Sequence, residues 1–104
     1  MLRVYADALN VLRLLRPVMA EIARCDADLG RQLRRCASSM VLNIAEGSYA
    51  RKGNKAALYA VALGSAKETV ACLDVAEALG YVRAIEGEVR QALDVVCAVL
   101  FRLS

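Results

Sequence analysis

Apolar residues recur at three- and four-residue steps along most of the chain, which is the spacing of one face of an α-helix. The first such segment runs from about Val4 to Arg24. Its apolar positions are Leu9, Leu12, Leu15, Met19, Ile22 and Ala23. Pro17 lies within this segment, and proline lacks an N–H group and crowds the preceding turn. The pattern therefore predicts a first helix that Pro17 kinks or divides.

The second helix is predicted to begin after an N-cap at Asp26 or Asp28, since a carboxylate there can accept hydrogen bonds from unpaired N–H groups. It ends near Gly47 or Ser48. The apolar face of this helix comprises Leu33, Ala37, Met40 and Ile44.

The third helix is predicted over residues 55–79, after a possible N-cap at Asn54 and before Gly80, which suits the position that ends a helix. The fourth is predicted over residues 84–102. Its expected packing seam is Ile85, Val89, Ala92, Val96, Val99 and Leu103. Short connections imply antiparallel neighbours. The sequence thus predicts an all-α protein, an antiparallel up-down-up-down four-helix bundle, as a single domain over residues 1–104.

The third predicted helix is apolar on too many sides for one bundle. Besides a core stripe and its neighbour, it carries a further apolar face on the far side, which consists of Ala60, Val61, Gly64, Ala71, Val75 and Ala78. A helix that is apolar on most sides is buried on most sides. With 59% hydrophobic residues and a mean hydropathy of +0.41, the chain is expected to cover this face with copies of itself. The alternative is a monomer with a harmless alanine-rich exterior.

A membrane span is not expected. The longest uncharged stretch, residues 56–66, has 11 residues, whereas a span needs about 18. Asp7, Arg13 and Arg16 interrupt the pattern of a signal peptide. We therefore expect a cytoplasmic protein with no membrane partner.

Few residues suit catalysis or metal binding. The chain has no histidine, and its four cysteines form no C-x-x-C pair. Glu46 as a general acid–base, or Glu46 with Glu68 as metal-binding carboxylates, is the enzymatic alternative, but bundle metal sites usually add an E-x-x-H element. The sequence therefore predicts no enzyme, no cofactor and no metal. The cysteines are interpreted as small core residues.

Asn43 and Glu46 lie among residues that look buried, in the stretch S-S-M-V-L-N-I-A-E-G. Such groups need hydrogen-bond partners in a helix seam. We predict a structural polar network that holds the second helix against the third. Its members are Ser39, Asn43, Glu46, Ser65 and Glu68, and Thr69 and Arg34 or Arg35 are candidate partners.

Positive charge is concentrated in residues 29–55, where six basic residues face one acid, Glu46. The six are Arg31, Arg34, Arg35, Arg51, Lys52 and Lys55. They are either a solvated helix face or a candidate nucleic-acid-binding surface. Repeated around an oligomer, they would attract phosphates without reading bases. The low aromatic content, 5%, argues against sequence-specific binding of single strands.

Three segments carry a resemblance to a known family. They are Q-L-R-R-C-A-S-S-M-V-L-N-I-A-E-G (residues 32–47), A-L-G-S-A-K-E-T (62–69) and A-L-G-Y (78–81). Together they resemble the four-helix-bundle proteins encoded in intervening sequences of bacterial 23S ribosomal RNA genes. The resemblance implies a ring-like homopentamer. It also implies a relation to the accessory protein of diversity-generating retroelements, which is linked to nucleic acid and a reverse transcriptase.

Two functions therefore remain open at the level of sequence. The first is non-specific binding of RNA or DNA by the basic surface of a homo-oligomer. The alternative is an adaptor or scaffold whose exposed apolar faces hold a different protein, without nucleic-acid binding.

Overall fold

The computed structural model describes residues 2–104 and contains four helices. They are α1 (Arg3–Cys25), α2 (Ala27–Tyr49), α3 (Lys52–Ala78) and α4 (Gly87–Leu103). No strand occurs within the described residues. The all-α prediction is confirmed.

The helices pack in a closed cycle, in which each contacts the next in sequence and α4 returns to α1. Side-chain pairs give the directions. Ser39 pairs with Ser65, whereas Gln32, earlier in α2, pairs with Glu68, later in α3. Because the residue number falls along α2 as the number of its partner on α3 rises, α2 and α3 are antiparallel. This confirms the four-helix bundle.

The core is aliphatic and is supplied by all four helices. The predicted face of α2 is fully buried at Leu33, Ala37, Met40 and Ile44. The seam predicted for the fourth helix is partly wrong. Leu93 and Leu100 are fully buried there, whereas Leu103 is exposed, because α4 turns the 89-93-96-100 stripe toward the core.

The helices differ from the prediction in one interior position and at two helix starts. α1 continues through Pro17 without division. α3 begins three residues early, with Arg51 rather than Asn54 at the N-cap, and α4 begins at Gly87 rather than Ala84. The N-cap at Asp26 is confirmed: its side chain accepts a hydrogen bond from the Leu29 N–H, which lowers the pKa of Asp26.

Glu77 fixes the connection between α3 and α4. Gly80 turns the chain with φ +76°, a conformation that favours glycine. Glu77 Oε1 then accepts hydrogen bonds from the Ile85 N–H and from Arg90 Nη2, each at 2.8 Å. The Ile85 N–H contributes most to lowering the pKa of Glu77, and Arg90 adds to it.

A Glu77→Gln variant is expected to lose less stability in acid than the natural protein. Since folding lowers the Glu77 pKa below its usual 4.5, the ionised carboxylate stabilises the folded state above that value. This contribution disappears as pH falls through the lowered pKa. Urea unfolding at pH 7 and pH 3 measures it, and Glu21→Gln, at an exposed position of α1, is the control. If both variants lost the same amount of unfolding free energy between pH 7 and pH 3, the assignment of this acid dependence to Glu77 would be contradicted.

α3 is the one helix within residues 2–104 that is long and apolar enough to cross a bilayer by length and composition. Core helices of soluble proteins meet the same criterion.

Candidate functional site

Three of the five residues predicted for the polar network meet in the seam between α2 and α3. The hydroxyls of Ser39 and Ser65 lie 2.9 Å apart, one from each helix. Asn43 Nδ2 donates to the Ser39 carbonyl at 2.8 Å and to the Ser39 hydroxyl at 3.1 Å. Asn43 therefore bonds within its own helix and reaches α3 only through Ser39. All three side chains are half-buried.

The two predicted carboxylates are not part of this cluster. Glu68 accepts a long hydrogen bond, 3.4 Å, from Gln32 Nε2 on the exposed rim of the seam. The expectation that Glu46 lies in the seam is wrong, because position 46 follows exposed Arg35 and Leu42 on the outward face of α2. The Ser39–Ser65 register places Glu46 near the height of residue 58, about 15 Å from Glu68 along α3. These carboxylates do not form a pair.

Thr69 and Cys36 extend the seam into the core. Thr69 is fully buried, and its Oγ1 lies 2.8 Å from the Ser65 carbonyl and 3.3 Å from Cys36 Sγ. The sequence indicated Thr69 only as a candidate partner, and it gave no sign that a cysteine would serve as acceptor. Cys36 and Cys72 are buried as predicted, whereas Cys25 is exposed and Cys97 half-buried. Within residues 2–104, no three acidic or cysteine side chains converge as a metal site.

Gly47 is the residue whose role the sequence did not reveal. It lies inside α2, buried, rather than at the predicted helix end. The ring of Tyr59 packs on it so closely that a Cβ added at position 47 would lie 2.6 Å from Tyr59 Cε1. A glycine next to a buried aromatic at matching heights of two helices is the signal that could have identified this contact.

The predicted basic residues form two groups on the surface. Arg31, Arg34 and Arg35 are exposed in the first half of α2. Arg31 forms an ion pair with Asp28, whereas Arg34 and Arg35 make no ion pair with any residue in 2–104. Surface pairs of the Arg31 type contribute little, so this guanidinium can exchange partners.

Arg51 and Lys52 form the second group, at the connection between α2 and α3. From Arg35 to the end of α2 at Tyr49 is 14 residues, which corresponds to about 21 Å of helix between the two groups. Lys55 belongs to neither group, because its Nζ donates to the carbonyls of Gly47 and Ser48 at 3.1 and 3.0 Å. It caps the C-terminal end of α2, where a cation is favourable.

The far apolar face of α3 is left uncovered by the other helices, as predicted. Every one of its members is exposed, namely Ala60, Val61, Gly64, Ala71, Val75 and Ala78. Leu42, on the outer side of α2, is 65% exposed. We define the outer face as Leu42 together with these α3 residues and Leu79, which is 58% exposed. Lys67 and Glu68, both exposed, are charged residues that interrupt it on α3.

Arg16 is a basic residue that the sequence-based list omitted. Ala23 of α1 packs against Gly30 of α2. Arg16 precedes Ala23 by two turns, so antiparallel packing places it at the height of residue 37, near Arg34. It is exposed. Its position became visible only once the pairing of α1 with α2 was known.

The comparisons with known proteins identify one family. The model described as "23S rRNA-intervening sequence protein" matches residues 2–101, which is nearly the whole chain. No curated protein and no solved structure matches it.

Proposed function

The chain belongs to the 23S rRNA-intervening sequence protein family, and we propose that it is a non-enzymatic bundle that assembles into a ring-like homo-oligomer and binds nucleic acid non-specifically. The binding surface in this proposal is Arg31, Arg34, Arg35, Arg51 and Lys52. We leave Lys55 out of it, because its ammonium group is engaged with α2 carbonyls.

The observation that carries the proposal is the state of Arg34 and Arg35. Both are exposed, and neither forms an ion pair with a carboxylate in residues 2–104. Guanidinium groups without partners are free to bind phosphates, and arginine suits phosphate geometry better than lysine does.

The spacing of the two basic groups favours a polymer over a small anion. About 21 Å of α2 separates them, so one phosphate cannot contact both. A nucleic-acid backbone carries charge along its whole length and can span this distance. Its release of counterions on binding would make affinity strongly dependent on salt.

Assembly supports the same function. The outer face is largely apolar and uncovered, and soluble proteins seldom leave large apolar patches exposed. Covering it with a second copy repeats the arginines around the ring. The positive electrostatic potentials of the arginines on each copy then add, which raises the local concentration of polyanions. The pentamer implied by the family resemblance fits this arrangement.

The proposal assigns no catalysis. The carboxylates whose pKa is lowered, Asp26 and Glu77, are each held by backbone N–H groups at helix ends and connections. These contacts stabilise the fold and give neither carboxylate a role as an acid or base. The chain also lacks histidine, the commonest general base.

The double variant Arg34→Ala/Arg35→Ala is expected to bind nucleic acid about 10-fold or more weakly at low salt. Fluorescence anisotropy with labelled double-stranded RNA, single-stranded RNA and double-stranded DNA would measure it. The loss of affinity should be similar for nucleic acids of different base sequence. The salt slope should fall by about 1 for each phosphate contact removed.

Arg83→Ala is the matched control, since Arg83 is an exposed arginine in the connection between α3 and α4. It should leave both affinity and slope unchanged. An absence of binding by the natural protein at 50 mM salt would end the nucleic-acid proposal. Equal losses for Arg83→Ala and the double variant would show that net charge, rather than the α2 surface, is responsible.

The adaptor alternative rests on the same outer face. Leu42 and Val61 would then contact a different protein rather than a second copy. Recovery of one stoichiometric partner, together with a monomeric purified chain that binds no nucleic acid, would favour the adaptor.

A further inference from the structure

We propose that Tyr49, the last residue of α2, stacks on an unpaired nucleobase, so that the nucleic acid is single-stranded where it meets Arg51 and Lys52. The inference rests on the proposed function and deepens it. It names the form of the nucleic acid, and it adds to the basic surface a contact that does not depend on charge.

Tyr49 differs from the other three tyrosines of the chain in having no structural role. Tyr59 is buried, Tyr81 donates a hydrogen bond from its hydroxyl to a carboxylate at 3.0 Å, and Tyr5 is half-buried against the core. Tyr49 is 80% exposed, and its hydroxyl makes no hydrogen bond to any residue in 2–104. The ring therefore contributes little to the fold, and tyrosine is enriched where proteins bind partners.

Tyr49 also lies beyond the outer face. It shares a side of α2 with Leu42, but it follows Leu42 by seven residues, which is about 10 Å along the helix. The Ser39–Ser65 pair places Tyr49 opposite the first turn of α3, before the outer face begins at Ala60. A second copy that covers the outer face therefore does not need the ring of Tyr49.

The exposed residues that follow Tyr49 are basic. Arg51 and Lys52 are both exposed, and neither forms an ion pair with a carboxylate in residues 2–104. Ala50 and Arg51 have extended backbones, with ψ of 158° and 154°, and successive side chains of an extended chain point to opposite sides. Ala50 is half-buried, so Arg51 points outward. An exposed ring beside free cations suits a ligand that combines a flat base with a phosphate.

Stacking on a protein ring requires a base whose face is free. In a duplex the neighbouring base pairs cover the faces of each base, whereas the bases of a single strand can turn outward and stack on aromatic side chains. Every base has such a face, so one stacking ring does not select a base sequence. The site therefore favours single strands over duplexes without reading their sequence.

The test compares Tyr49→Leu, which keeps apolar bulk but removes the ring, with Tyr49→Phe, which keeps the ring but removes the hydroxyl. Fluorescence anisotropy would use a labelled single-stranded RNA of about 12 nucleotides and the duplex of the same sequence. Tyr49→Leu should bind the single strand about 10-fold more weakly and the duplex with natural affinity. Its salt slope should not change, because no phosphate contact is removed. Tyr49→Phe should match the natural protein on both ligands.

Phe101→Leu is the matched control. Phe101 is another aromatic residue that is 71% exposed, but it belongs to α4, which packs against α3 and α1 rather than beside α2. Its replacement should leave the affinity for both ligands unchanged.

Three results would overturn the inference and leave the proposed function in place. They are natural affinity of Tyr49→Leu for the single strand, an equal loss for the single strand and the duplex, and a loss in Tyr49→Phe as large as in Tyr49→Leu. Failure of the natural protein to bind either ligand at low salt is a different outcome, because it would remove the proposed function together with this inference.

Discussion

Replacing Gly47 by valine is expected to lower the free energy of unfolding by about 3 kcal/mol. Even a single added carbon would lie 2.6 Å from Tyr59 Cε1. The Tyr59 side chain is 3% exposed and packed among its neighbours, so the ring or the two helices would have to shift. Valine adds further atoms at the same contact.

Thermal and urea unfolding would measure the effect. A loss of this size lowers Tm by roughly 10–20 °C in a domain of about 100 residues. It is a large part of the roughly 5–15 kcal/mol that holds a typical domain together. Helical content should change little, because valine is tolerated in helices.

Gly53→Val is the matched control. Gly53 lies in the first turn of α3, where an added Cβ meets no atom within 4 Å. It should shift stability by no more than about 0.5 kcal/mol, as exposed substitutions do. If the two glycines tolerated valine equally, the contact of Gly47 with Tyr59 would not be the reason for glycine at this position.

The difference between these glycines marks the limit of reasoning from the sequence. Periodicity predicted four helices and the buried face of α2, because the 3.6-residue repeat depends only on local spacing. It could not distinguish a glycine that ends a helix from one that admits a neighbouring ring. That distinction depends on which residue of α3 lies opposite, and therefore on the register between helices.

The polar residues show the same limit. The spacing of Ser39, Asn43 and Glu46 predicted that all three lie between the apolar and basic faces of α2. In the structure they have different environments. Ser39 and Asn43 turn into the seam, whereas Glu46 is exposed. The interhelical position of Ser65 decides which of them finds a partner. The sequence did not reveal the partners of Lys55 for a similar reason, since they are backbone carbonyls that side-chain patterns do not show.

The outer face depends less on register, and the sequence predicted its α3 members correctly. The core stripe and the exposed stripe lie on opposite sides of one helix, so a helical wheel alone separates them. A surplus of apolar surface was visible in the composition, and the bundle has no fifth helix within residues 2–104 to cover it.

The double variant Leu42→Glu/Val61→Glu is expected to abolish the proposed assembly and leave a monomer. Each residue lies one turn from the Ser39–Ser65 pair in the same direction, so the two occupy matching heights on adjacent helices. Their exposures, 65% and 52%, mean that the fold of a single chain does not need them. Carboxylates buried against a second copy would lack partners, which costs several kcal/mol for each ion. Light scattering coupled to size exclusion would give the mass.

The control is Val95→Glu, an exposed valine of α4 beside Arg3 and Asp7, away from the outer face. It should leave the mass unchanged. Both variants should unfold at the Tm of the natural protein, apart from any part of that Tm that assembly contributes. Arg34 and Arg35 remain intact in the double variant, so its nucleic-acid affinity separates the two parts of the proposal. Weaker binding by the monomer would show that the pooled charge of the ring matters. A natural protein that is already monomeric at micromolar concentration would refute the assembly, and the arginines of α2 would then have to bind alone.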